Sequence, residues 1–240
     1  MNAPLTYEFD AGIATIKMDD GKANVMNSRM LQALNTALDR AQADQAIVVL
    51  TGRTGMFSGG FDLAVFKGDP QEQYQMLEAG ARLTERLLSF AHPVVAVCTG
   101  HAIAMGAFLL LCADVRIGLD RETTIQVNEL QIGLTLPRFA VEVCRQRLAP
   151  AHLNIATLSA QPYSPHKAVL AGFLDEVVPA ASLASALHSN TTRLQKLHAP
   201  SFTATKLRLR GAVLTALHEA INEDMVDWTA RIRNTASKSA

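Results

Sequence analysis

Short unbroken apolar runs alternate with amphipathic stretches in the first half of the chain, and amphipathic stretches dominate the second. Residues 46–50 and 93–98 are continuous apolar runs of strand length, the pattern of strands covered on both faces. The first feeds a glycine-rich loop at 52–60 and the second another at 99–106. Tyr7-Glu8-Phe9 and Ile13-Ala14-Thr15-Ile16 flank the turn signal Asp10-Ala11-Gly12 and read as two short strands. Asn27 or Ser28 caps a helix whose Met30, Leu31, Leu34, Leu38 and Ala41 share one face. A second helix is predicted from about Gln71 to Phe90, and an apolar one from the second glycine loop to about Cys112. Residues 115–117 and 124–127 read as further short strands. Helical segments follow near 138–148, 150–160, 164–171 and 181–197, broken by Pro150, Pro162, Pro165 and Pro179. A last long helix runs from about 201 to 232 with a break at Gly211, and the polar end 234–240 is expected to fray. Strands with helices, then helices alone, make this an α/β chain.

Composition narrows the function classes. The chain has 240 residues, 49% of them hydrophobic and 18% charged, with 22 basic and 22 acidic side chains. Zero net charge argues against nucleic acid and against an anionic membrane surface as partners. Low charge with high apolar content points to buried subunit contacts. Cys98, Cys112 and Cys144 sit among apolar neighbours and are expected to be reduced core thiols. The N-terminal residues lack a basic segment followed by an apolar one, so no secretion signal is read. The longest apolar stretch, 102–113, is well short of the roughly 20 residues of a membrane helix. A soluble, cytoplasmic protein is expected.

The two glycine loops carry the chemistry. Each places small residues and free backbone N–H groups where a buried strand passes into a helix. Two such strand ends can aim two donors at one oxygen, which is the logic of an oxyanion hole and of enolate stabilisation. Glu129 lies in a mostly apolar stretch, where burial raises a carboxyl pKa toward working pH. Competing motifs fail. No Gly-Lys-Ser/Thr follows the first loop, Met56 occupies the place where a nucleophile elbow around Ser58 needs glycine, and the histidines lack metal-ligand spacing.

Five landmarks occur in order: Lys22-Ala23-Asn24-Val25-Met26-Asn27, Phe57-Ser58-Gly59-Gly60-Phe61-Asp62-Leu63, Gly100-His101-Ala102 through Gly106, Ala113-Asp114-Val115-Arg116, and Asn128-Glu129-Leu130-Gln131-Ile132-Gly133-Leu134. In these, from about Thr6 to about Val178, the chain resembles the crotonase superfamily, the enoyl-CoA hydratase/isomerase family. The resemblance implies a crotonase-like spiral of ββα turns over residues 1–180. It implies a C-terminal helical region over 181–240 that builds trimers, often paired into hexamers. The implied ligand is an acyl-CoA thioester, with no separate cofactor and no metal.

The resemblance also distributes roles. The Phe61 backbone N–H is the first oxyanion donor. The second falls on Met105, where the family usually has glycine, or on Gly106 if the alignment slips by one. Glu129 is the acid/base. Lys22 lies where the family places a basic residue near the CoA phosphates, and Ala23 where backbone contacts adenine. Gly59, Gly60, Asp62, Leu63, Gly106 and Asn128 complete the substrate contacts, with Asp62 also suited to starting a helix. Asp114 resembles a structural aspartate of the family fold. His101, beside the second loop, either packs there or lines the site. Met26, Phe66, Met76 and Leu77 are candidates for the acyl pocket. Hydratases of the family use a second glutamate, and that position here is Phe108. One carboxylate suffices to move a double bond, so a Δ3,Δ2-enoyl-CoA isomerase is expected. The alternatives are a hydratase that relies on Glu129 and substrate-held water, and a non-catalytic acyl-CoA-binding member.

Overall fold

The computed structural model describes residues 3–238, and within them strands and helices follow a repeating ββα rhythm. Strand β1 (Leu5–Asp10) and β2 (Ile13–Met18) form an antiparallel hairpin. Its two connecting residues, Ala11 and Gly12, both have positive φ (46° and 79°), which matches the right-handed twist of a hairpin. Helix α1 (Ser28–Ala43) starts at Asn27, whose side-chain oxygen accepts the Met30 N–H at 3.1 Å. Then come β3 (Ile47–Thr51), β4 (Gly55–Ser58) and α2 (Pro70–Ser89), the last with proline in its first turn and Asp69 as cap. β5 (Val94–Cys98), β6 (Gly100–Ile103) and α3 (Met105–Cys112) form the next turn. β7 (Val115–Leu119), β8 (Ile125–Gln126) and α4 (Arg138–Arg145) form the one after.

The two strands of each turn go to different sheets. A six-stranded sheet has the order β1-β2-β3-β5-β7-β9, with β9 at Glu176–Val178, and a three-stranded sheet has the order β4-β6-β8. Both sheets are parallel beyond the hairpin. This is the spiral that the resemblance implied, followed by a helical C-terminal region. Helix α3 is buried at every residue, as a helix apolar on all sides must be. After α5 (Pro150–Leu158) and α6 (Pro165–Ala171), helix α7 (Leu183–Gln195) lies against the large sheet and α8 (Ala199–Lys238) against α2 and α4.

Four expectations change. β4 and β6 are strands rather than loops, because their short backbones pair with each other (Gly55 opposite Gly100). β9 has only three residues and becomes a strand by pairing with β7. Gly211 does not break the last helix. It is exposed, and nothing approaches its Cβ position within 4 Å. The roughly 1 kcal/mol that glycine costs inside a helix is outweighed by the packing of α8 on α2 and α4. Of the end expected to fray, residues 234–238 continue α8, and 239 and 240 lie outside the described residues, as do 1 and 2 of the segment read for a secretion signal.

Asp114 fastens α8 to the core. Its carboxylate accepts the Val94 N–H and pairs with Lys206 at 2.8 Å and Arg210 at 3.0 Å, both side chains almost fully buried. Asp114→Asn leaves two buried cations short of their counter-charge. It is expected to cost about 2 kcal/mol of stability, read as a lower midpoint in urea unfolding with an unchanged slope. The three cysteines are free and buried. Burial pushes the Cys98 and Cys112 thiols up to about 12 and raises that of Cys144 as well, so they are inert core side chains. Among the described residues, no helix is long and apolar enough to cross a membrane.

Candidate active site

The three strands of the small sheet end side by side, and each is followed by one candidate segment. In open α/β sheets, the carboxyl ends of parallel strands are where ligands collect. Ser58 of β4 pairs with Ala102 of β6, and Ile103 pairs with Gln126 of β8. Phe61, Met105 and Glu129 therefore emerge within a few residues of three neighbouring strand ends.

The first segment is fastened from below by the loop before α1. Asn24 is fully buried and donates from its side-chain amide to the Met18 and Phe57 carbonyls at 3.0 and 3.2 Å. Ser58 Oγ donates to the Asn24 carbonyl at 2.8 Å and accepts the Gly60 N–H at 3.2 Å. The Gly59 N–H donates to the Ala23 carbonyl at 2.8 Å, and the Met26 N–H to the Gly60 carbonyl at 2.8 Å. The Asp62 N–H donates to the Met26 carbonyl at 3.4 Å. These bonds occupy the amides on either side of Phe61 and leave its own N–H without a partner among the described residues.

The second segment turns sharply. Ala104 has φ 49° and ψ −118°, a conformation that costs an L-residue of order 1 kcal/mol or more. It is held by its N–H to the Gln126 carbonyl at 2.8 Å. The strained residue redirects the chain from β6 into α3 and leaves the Met105 N–H, first of the helix, without a partner among the described residues. Gly60 shows how close the two segments come. A Cβ there would lie 2.9 Å from the Ile103 oxygen and 3.5 Å from the Met105 nitrogen, and its φ of +91° suits glycine. Gly106 packs instead on β4, where a Cβ would meet the Ser58 carbonyl oxygen at 2.5 Å. The Met105 side chain is fully buried toward α2, so only its backbone faces the first segment.

The third segment is a tight 3₁₀ turn, Glu129–Ile132, closed by Gly133 in the left-handed conformation. Glu129 is 6% exposed. Its Oε2 has no hydrogen-bond partner among the described residues. Burial pushes its carboxyl from 4.5 up to about 7, opposed only in part by a hydrogen bond from its own backbone N–H.

All three segments border one cavity of about 460 Å³. Gly59, Phe61, Leu63, Asn128 and Glu129 of the predicted site line it, with Phe66 and Leu77 of the expected acyl pocket. Lys22, Ala23, Gly60, Asp62, Met105 and Gly106 of the predicted site are not among its lining residues, nor are Met26 and Met76, which are fully buried in the core. Phe108 also lines the cavity and stacks edge-to-face on Phe139 at 6.0 Å. Glu129 is thus the one carboxylate in the cavity wall among the described residues. Lys22 is exposed, and its carbonyl accepts the Arg53 guanidinium. Ala23 touches the site through Gly59. The Asp62 carboxylate accepts the Ala64 N–H at 3.0 Å and the Asn27 side-chain amide at 3.3 Å; it closes a local turn and is not the cap of the 3₁₀ helix Val65–Lys67, which starts at Ala64 without a side-chain cap. His101 Nδ1 accepts the Thr124 N–H at 3.0 Å, as a packed histidine does. No cluster of metal-ligating side chains occurs among the described residues.

Lys67, in the turn before α2, Tyr74 of α2 and Trp228 of α8 also line the cavity, and none of them belongs to the motifs of the sequence. They come from elements without a motif. The one available signal was that Trp228 is the only tryptophan in the chain.

A sequence model of the enoyl-CoA hydratase/isomerase family matches residues 8–238. Among solved structures, a Mycobacterium tuberculosis protein described as an enoyl-CoA isomerase in its apo structure and as a probable enoyl-CoA hydratase in another is 40% and 39% identical, respectively. The apo structure superposes with a TM-score of 0.89 over 94% of this chain and 99% of that one. An enoyl-CoA hydratase from Mycobacterium marinum is equally similar, at 40% identity and TM-score 0.89 over 94% of this chain and 99% of its own. The mitochondrial enoyl-CoA delta isomerase 1 of Mus musculus is 29% identical over 94% of this chain and 80% of its own length.

Proposed function

Since the chain belongs to the enoyl-CoA hydratase/isomerase family, we propose that it is a Δ3,Δ2-enoyl-CoA isomerase with Glu129 as its single acid/base. One observation carries this reading: among the described residues Glu129 is the only carboxylate in the cavity wall. Phe108, at the position where the resemblance puts a hydratase's second glutamate, lines the same cavity.

The thioester oxygen sits between the Phe61 and Met105 N–H groups. Glu129 takes a proton from C2 of a 3-enoyl ester, and the C2–H electron pair spreads over the conjugated system to that oxygen. The two amides stabilise the charge, at about 3–4 kcal/mol per donor, and the N-terminus of α3 adds its positive dipole end. The Glu129 carboxylic acid then returns the proton at C4, and the double bond lies between C2 and C3. Nothing is consumed, and one group on one side of the chain serves both carbons. Hydration needs a water molecule held and deprotonated opposite the acid, for which Phe108 offers no group. Lys22 and Ala23, beside Gly59, are assigned to the CoA end of the ligand. The assembly that accompanies this reading is a homotrimer or a dimer of trimers, read by light scattering.

Product analysis in D2O tests the proposal. 3-Enoyl-CoA is expected to become 2-enoyl-CoA with deuterium washed into the acyl chain, and 2-enoyl-CoA is expected to yield no 3-hydroxyacyl-CoA. Formation of the hydroxy ester as main product assigns a hydratase instead. The reaction also has a pH signature. The base must be ionised to accept the proton, and its pKa is raised to about 7. So kcat/KM is expected to rise about tenfold per pH unit below about 7 and to level above it. A flat profile between about pH 5 and 8 would remove Glu129 as the base.

A further inference from the structure

We infer that Trp228 sets the greatest acyl length this site accepts, and that Asp224 is the positioning residue that holds it in place. The inference rests on the acyl-CoA reading of the cavity and adds a limit that the reading itself leaves open.

Trp228 is nearly buried and forms cavity wall together with Pro137. It belongs to α8, whereas the three candidate segments each follow a strand of the small sheet. Asp114 fastens α8 near its start; a second contact holds it closer to Trp228. Asp224 lies four residues before Trp228, on the same face of the helix one turn earlier. Its carboxylate is 3% exposed. One oxygen accepts the Arg138 N–H at 3.0 Å and the other accepts the Phe139 N–H at 2.9 Å. These are first-turn amides of α4, which starts after Pro137 and has no side-chain cap of its own. A carboxylate from α8 thus caps α4, and charged acceptors at a helix N-terminus bind strongly there. The Arg138 side chain reinforces the clasp with ion pairs to Glu223 at 2.9 Å, Asp224 at 3.4 Å and Asp227 at 2.5 Å.

The clasp joins two walls that lie far apart in sequence. Pro137 immediately precedes the capped turn and Trp228 follows the capping residue by one helical turn. Fastening α4 to α8 therefore ties the wall residue Trp228 to the segment that carries the wall residue Pro137. The neighbouring wall is apolar, with Phe66, Leu77, Phe108 and Leu134. A group as large as an indole in an apolar wall acts on a hydrocarbon chain by excluding its last carbons.

Binding of saturated acyl-CoA esters, from butyryl- to palmitoyl-CoA, tests this without depending on turnover. Calorimetric titration gives Kd against chain length for the wild type, Trp228→Ala, Trp228→Leu and Asp224→Asn. In the wild type, affinity is expected to rise with length and then fall at a limit. Each methylene newly accommodated is worth about fourfold in affinity. Trp228→Ala is expected to move the limit to longer esters and to raise the long-to-short affinity ratio by about tenfold or more. Trp228→Leu is expected to move it less. Asp224→Asn keeps the side-chain shape but loses one acceptor, and is expected to move the limit in the same direction with Trp228 still present. Length profiles parallel to the wild type in both Trp228 variants would overturn the inference, whether affinity is kept or uniformly reduced. A wild type that shows the limit but turns over no enoyl ester overturns the isomerase reading alone. A folded wild type that binds none of these esters overturns the acyl-CoA reading and the inference with it.

Discussion

Replacing Glu129 with glutamine is expected to lower kcat for a 3-enoyl-CoA ester by about 10³- to 10⁴-fold while leaving CoA-ester affinity within a few fold. Acid–base catalysis by one positioned group contributes about 10²–10⁴. The upper part of that range applies because the same group performs both the removal and the return of the proton. Glu129→Gln keeps the size of the side chain and its place in the 3₁₀ turn, and loses only the ability to carry a proton. Single-turnover kinetics with direct binding separates the two effects, and unchanged turnover would sink the assignment. The same variant carries a stability signature of opposite sense. The folded-state pKa of Glu129 lies above its unfolded value, about 7 against 4.5. The folded chain therefore binds more protons than the unfolded chain across that window, so the wild type loses stability as pH rises through it. Glutamine does not titrate. The stability of the variant relative to the wild type is thus expected to increase from pH 4.5 to above about 7, measured by urea unfolding across pH. An active site that holds a carboxylate with an unpartnered oxygen is paying for function in stability.

Alanine at Gly60 is the second large effect. Its Cβ would lie 2.9 Å from both Ile103 O and Ala104 Cβ, and the residue would have to hold φ +91°. Both the neighbouring Phe61 N–H and the Met105 N–H would be displaced. Loss of one well-aimed donor costs about 10²–10³ in kcat, and the strained backbone about 1–3 kcal/mol of stability. Gly60→Ala is therefore expected to reduce kcat by at least about 10² with Glu129 still ionising near its wild-type pKa. A pH profile of unaltered shape at lower height is the result that separates loss of the oxyanion donors from damage to the base. A variant with wild-type kcat would show that Phe61 and Met105 do not hold the oxygen.

What could be read in advance followed from where the signal was local. The runs 46–50 and 93–98 announced themselves as strands because burial on both faces leaves no polar position to interrupt them. Asn27 was legible as a cap because capping is chemistry between residues three apart. β4 and β6 read as glycine loops because their strand character exists only in their mutual pairing, which no single segment displays. The break expected at Gly211 failed for a related reason: the local cost of glycine is small beside the packing of a helix along two others. At the site, the motif segments carrying Phe61, Met105 and Glu129 were visible, as was the apolar residue at 108. Trp228 and Asp224 were not, since their meaning lies in a contact between α8 and the start of α4.

The separation of the small sheet's strands among successive turns of the spiral divides labour in a way that bears on how such chains diversify. On the proposed mechanism, the turn containing β4 supplies one amide, the turn containing β6 another, and the turn containing β8 the proton carrier. Holding a thioester oxygen and deciding what happens to the carbon chain are thus encoded in different stretches of sequence. The side chain at 108 projects from the first turns of α3 and contributes nothing to the amides beside it. On the proposed mechanism, a lineage that exchanges that side chain changes the surroundings of the acyl chain while the two amides pass on intact.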